Sequence, residues 1–179
     1  MVTLMDKLTN PLAMLKADHA YVKQTFSRYG GTDSFTVRRL LVQEICDNLI
    51  IHATLEEDLF YPALVQFGGE EGRHFVEEAA REHEDIKNHI NEVMESDVDR
   101  ADFRMLIGAL EERVLAHAER EEAMFPLAED RLPLRKLARQ MDIRRVQLMA
   151  TVRPPSGLGI MALVLIGLGA VLFMTLRKQ

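Results

Sequence analysis

His52-Ala-Thr-Leu-Glu56-Glu57-Asp58-Leu59-Phe60-Tyr61-Pro62 returns at residues 117–126 as HAEREEAMFP, sharing His, Ala, two Glu, Phe and a closing Pro with one residue of slippage. Each copy follows a lone histidine at nearly the same distance, His19 thirty-three residues before His52 and His83 thirty-four before His117. The chain therefore contains an internal repeat, each half offering one His and one HxxxE. On an α-helix, residues i and i+4 lie one turn apart on the same face, so His52 with Glu56, and His117 with Glu121, form two chelating clips. One HxxxE alone is weak, because helices carry such pairs on solvated faces. Two in register, each with its lone His and together using four of six histidines, point to a metal site.

Working outward, apolar residues bracket these positions at helical spacing: Leu15 and Val22 around His19, Leu49 and Leu59 around the first clip, Ala79 and Ile86 around His83, Val114 and Phe125 around the second clip. The six polar side chains thus point to a core. Burying four imidazoles and two carboxylates there costs several kcal/mol unless something pairs with them, and a metal does so. Thr9 or Asn10 with Pro11 reads as the start of a first helix that stops at Gly30-Gly31. A second opens after Asp33-Ser34 and closes before Gly68-Gly69, with Pro62 expected to bend it. A third covers about 70–95 and a fourth about 99–128, with a matching bend at Pro126. Four long helices with short links make an all-α, up-and-down four-helix bundle over residues 1–132.

At 179 residues the length suits one such domain plus an appended segment. Charge divides the same way: residues 1–132 carry 14 Lys+Arg against 27 Asp+Glu, and residues 133–179 carry 8 against 1. The acidic body argues against nucleic acid as a partner, since phosphate binding needs a cationic face. Cys46 is the only cysteine, so no internal disulfide forms and a reducing compartment is expected. The start, MVTLMDKLTNP, does not read as a secretory signal.

Residues 157–176, GLGIMALVLIGLGAVLFMTL, run twenty residues without a charge, which as a helix covers about 30 Å, the thickness of a bilayer core. Residues 156–177 are expected to form a C-terminal transmembrane anchor. Arg144, Arg145 and Arg153 before the span, against Arg177 and Lys178 after it, favour a bundle facing the cytoplasm. Residues 133–155 form a basic amphipathic juxtamembrane segment in which Leu134, Leu137, Ala138, Met141 and Leu148 can share one face. Such a helix either lies on anionic membrane lipid or packs on the bundle as a fifth helix.

Imidazole and carboxylate without thiolate suit iron, with manganese less fitting, and two carboxylates able to bridge suggest two ions. Each ion keeps positions open for an oxo or hydroxo bridge, water or a diatomic ligand. The set His19, His52-x-x-x-Glu56, His83, His117-x-x-x-Glu121 resembles the hemerythrin-like HHE cation-binding family over about residues 9–130. The resemblance implies a four-helix bundle with a non-haem di-iron centre, and carries metal-ligand roles onto those six residues. One departure stands out. Oxygen-carrying hemerythrins have a second histidine four residues after the first on the third helix, where this chain has Lys87. They also end on an Asp five residues after its His, where this chain has Glu121 at four. His89 lies about 240° round the helix from His83 and cannot substitute.

With the fifth imidazole missing, the resemblance points away from simple oxygen carriage and toward binding of, or reaction with, peroxide, nitric oxide or oxygen. The alternatives are a non-enzymatic oxygen, iron or redox sensor reporting to a membrane-protein partner, and an iron-handling module. Lys23 and Lys87, each four residues after a lone His, are expected to turn outward. Tyr21 or Tyr61 is placed to hydrogen-bond a ligand carboxylate or to pack, and His74 and His89 read as surface residues.

Overall fold

The computed structural model describes residues 10–98 and 102–152. Its elements are α1 (Pro11–Gly30), α2 (Phe35–Leu55), a π-helical turn (Glu56–Phe60), α3 (Tyr61–Phe67), α4 (Gly69–Glu95), α5 (Phe103–Arg131) and α6 (Leu134–Val152), with no strand among the described residues. Because α2, the π turn and α3 follow without a break, they form one rod, and with α1, α4 and α5 they make the bundle. Residue 99, expected to start the fourth helix, lies outside the described residues.

The helix starts follow the capping chemistry of the sequence. Asn10 Oδ1 accepts the Leu12 N–H at 2.9 Å with Pro11 next, and Ser34 Oγ accepts the Val37 N–H at 3.4 Å. At the α3–α4 turn Gly69 has φ 72°, a left-handed conformation that favours glycine. Gly68 is tighter still, since a Cβ there would lie 2.6 Å from the Leu64 carbonyl oxygen.

The two prolines do not behave alike. Pro126 sits inside α5, which continues to Arg131, whereas Pro62 follows the π turn, where the Tyr61 N–H reaches back to the Glu56 carbonyl. The slippage between the repeats explains the difference: the first half has one residue more between its ligand Glu and its Pro, and a helix absorbs one extra residue as a π turn.

Buried apolar residues form two clusters, one around Leu15, Leu55, Phe60, Leu64 and Phe125, the other around Phe26, Ile45, Ile90, Ile107 and Leu110. The repeat spacing places the His/Glu layer between them, because each ligand position separates residues of one cluster from residues of the other along its helix. α6 packs on α1, α2 and the π turn, burying Leu137, Met141 and Leu148 in the first cluster, with Ala138 buried beside them on the helix. The basic segment is thus a fifth helix on the bundle as far as Val152, with Arg135, Lys136 and Arg139 on its exposed side. Among the described residues no helix is long and apolar enough to cross a membrane, and the expected span at 156–177 lies outside them.

Candidate metal centre

All six candidate ligands meet in the middle of the bundle. α1 brings His19, α2 His52, the π turn Glu56, α4 His83, and α5 both His117 and Glu121. They form two donor sets, His19–His52–Glu56–Glu121 and Glu56–His83–His117, each with its ligand atoms within 4.8 Å of one another. Glu56 belongs to both: its Oε1 lies 3.1 Å from His52 Nε2 and its Oε2 3.3 Å from His83 Nε2. Glu121 stands with the first set, 3.2 Å from His19 Nε2. Of the two carboxylates expected to bridge, Glu56 faces both donor sets, while Glu121 stands with the first.

The four rings are oriented by carboxylates behind them. His19 Nδ1 donates to Glu122 at 2.9 Å, His83 Nδ1 to Glu57 at 2.9 Å, His117 Nδ1 to Glu82 at 2.8 Å and His52 Nδ1 to Asp18 at 3.4 Å. A carboxylate only accepts, so each Nδ1 carries a proton and each ring turns its Nε2 inward. Those nitrogens face each other, His19 Nε2 to His52 Nε2 at 3.2 Å and His83 Nε2 to His117 Nε2 at 3.0 Å. The oxygens of Glu56 and Glu121 are wholly buried without a conventional hydrogen-bond partner. Donors held about 2.1 Å from a common ion stand roughly 3.0–3.4 Å apart, so these spacings fit the edges of two coordination shells. The residues present fit a pair of cations.

Without a cation, the facing groups shift one another's affinity for protons. Burial works against charge on every ring, yet Glu56, with Asp18 behind, raises His52 well above the usual imidazole range. Burial and the facing His52 charge lower His19. The second pair repeats the division: Glu56 and Glu57 overcome burial to raise His83, and His117 falls to about 4 through burial, with His83 adding to the fall and Glu56 opposing it. Glu56 is held well below the carboxylate range, His52 outweighing its burial, while burial and the Glu56 charge push Glu121 well above it. One charge per facing pair is what close packing of like groups dictates.

Tyr61 stands at the second set. Its buried hydroxyl lies 3.0 Å from His83 Nε2 and 3.5 Å from His117 Nε2. The π turn puts it there; the position before the other proline is Phe125, whose ring stacks near His19 at 6.5 Å. Burial, then the charge of Glu56, pushes the phenol above its ordinary range. Tyr21 is on the surface, hydrogen-bonded to Glu44. Lys87 does not enter the centre: its Nζ holds Glu57 at 2.5 and 2.6 Å, fixing the carboxylate behind His83. Lys23 and His74 are exposed, and His89, half-buried at the surface, donates to the Asp85 carbonyl.

The four orienting carboxylates escaped the sequence reading, although a signal exists. Asp18 and Glu82 each precede a lone His, and Glu57 and Glu122 each follow a ligand Glu, in the same way in both halves. The residue before a lone His serves the other imidazole of its own hairpin. The residue after a ligand Glu serves the lone His of the other hairpin.

Comparison with known proteins shows the family and the fold. The Hemerythrin HHE cation binding domain matches residues 10–128. The fold is similar to the crystal structure of a Hemerythrin HHE cation binding domain-containing protein, an Rv2633c homolog from Mycobacterium kansasii, at 23% identity and a TM-score of 0.67, covering 79% of this chain and 88% of that one. A comparison with curated proteins gave no match. With the family match spanning most of the chain and a His/Glu cluster able to hold metal at its centre, the chain belongs to the hemerythrin HHE cation-binding domain family.

Proposed function

We propose that the centre holds two iron ions and binds or reacts with a small oxidant: oxygen, nitric oxide or hydrogen peroxide. The observation that carries this reading is the sharing of Glu56 by two sets of buried nitrogen and oxygen donors, one oxygen toward each. Nitrogen and oxygen without sulfur suit iron. Two ferrous ions in such a site would supply two electrons to a bound oxidant.

The protein's own contribution is a confined space and proton placement. A cavity of about 20 Å³ opens beside the rings, walled by Val22, Leu49, Ala53, Ile86, Val114 and Ala118. That is room for about one water-sized molecule. Tyr61 stands at the second donor set with a hydroxyl that can donate a hydrogen bond to a ligand there. The Nδ1 carboxylates hold the rings on target and raise their basicity toward a cation.

The location is part of the proposal. Residues 157–176 tether the bundle to a membrane, on the cytoplasmic side, where apolar gases partition into lipid. The test of function is stopped-flow mixing of the reduced, iron-loaded full chain with oxygen, nitric oxide and peroxide in turn. Sustained consumption of one of them marks an enzyme, and one-time oxidation or reversible binding marks a sensor or carrier. No change in absorption with any of the three contradicts the proposal. Release from membranes by alkaline carbonate would contradict the tether.

A further inference from the structure

Three of the orienting carboxylates work wholly within the four rods, and Asp18 does not. Both of its oxygens are taken by Arg145 of α6, Nη1 to Oδ1 at 3.0 Å and Nη2 to Oδ2 at 2.5 Å, across 127 residues of sequence. Arg145 is three-quarters buried, and its Nε is buried without a partner, so the guanidinium is held in place through the Asp18 fork. The oxygen that Arg145 Nη2 grips is the one His52 Nδ1 addresses, at 3.4 Å, the longest of the four ring-to-carboxylate contacts. Next to it, Arg144 binds Asp58, two residues after Glu56, at 2.7 Å.

We propose that Arg145 is a positioning residue of the metal centre, acting through Asp18 on His52, so that docking of α6 and loading of the first donor set are coupled. The inference rests on the metal-binding reading above. A cation on His52 Nε2 makes the Nδ1–H a stronger donor and draws it onto an Asp18 that Arg145 already holds in line. With α6 lifted, Asp18 loses its fork and is free to turn to solvent, and His52 loses its orienting partner. Coupling of this kind is reciprocal: whatever seats α6 tightens metal binding, and metal binding seats α6. The helix thereby reports occupancy of the first set toward the C-terminal segment that follows it.

The test compares full-length wild type with Arg145→Met, Arg145→Lys and Arg144→Gln, reading iron stoichiometry against a competing chelator and amide hydrogen exchange across residues 134–152. In Arg145→Met one ion is expected to bind about 10–100-fold more weakly while the other is kept. Arg145→Lys should recover part of the loss, and Arg144→Gln, which removes only an exposed pair to the π turn, should weaken binding far less than Arg145→Met. In wild type, iron should slow exchange across 134–152, and Arg145→Met should abolish that difference. Two ions held equally well by wild type and Arg145→Met overturn the coupling and leave the metal reading intact. Wild type that binds no iron overturns both. If Arg145→Met fails to fold, the wild-type exchange comparison decides alone, and equal protection with and without iron overturns the coupling.

Discussion

Glu56 and Glu121 look equivalent in the repeat, yet their neighbours give them different charges. Against its burial, His52 holds the Glu56 carboxyl well below its ordinary range, whereas burial and the Glu56 charge push that of Glu121 well above it, and the His52 and His83 imidazoles are raised. Metal ligands must lose their protons, so loading the centre releases whatever number it holds, and acid opposes it. Below the raised ranges of His52 and His83, affinity is expected to fall about tenfold per pH unit for each proton displaced. Isothermal titration in buffers of different ionisation enthalpy measures that count. A metal affinity unchanged from neutral to mildly acidic pH would contradict the charge assignment. Tyr61→Phe removes a buried hydroxyl whose neighbours are imidazoles, so stability should change by only about 1 kcal/mol. The visible spectrum of the iron-loaded protein and its rate with the oxidant should change, and unaltered values of both would show the hydroxyl to be a bystander. The ligands were legible in the sequence because two spacings coincide. Asp18, Glu57, Glu82 and Glu122 were not, since a carboxylate beside a ligand position looks the same whether it faces solvent or a ring.

At the scale of elements, the π turn and α6 show where pattern reading stops. The one-residue slippage between the repeats was visible, but whether a helix ends, kinks or widens at an extra residue depends on packing around it. Here Phe60 is fully buried in the core and Tyr61 is drawn to the rings, which fixes the wide turn. The apolar face of α6 was also visible. What it covers was not, because an amphipathic stripe fits a membrane surface as well as a bundle, and the Asp18–Arg145 fork has no local signature. Met141 tests the packed arrangement: it is fully buried, so Met141→Ala should cost about 2–5 kcal/mol in urea unfolding. A loss under about 0.5 kcal/mol, typical of surface positions, would mean that α6 is not part of the core.

Across the whole molecule, a polar layer divides an apolar bundle in two, and that layer is where metal binding and folding meet. Its facing imidazoles and buried carboxylates weaken the metal-free bundle, and any ion that binds the native state alone stabilises it by mass action. The all-α architecture and the pairing of halves followed from the repeat, since each hairpin alone cannot surround its ligands. The central claim is that two cations share Glu56 between the halves, and the most direct test is elemental analysis of full-length protein made in iron-rich medium, with and without Glu56→Ala and Glu121→Ala. Wild type should carry two irons per chain, Glu121→Ala should weaken mainly the ion of the first set, and Glu56→Ala should weaken both. A wild type without iron, or an iron content that Glu56→Ala leaves untouched, would contradict the account.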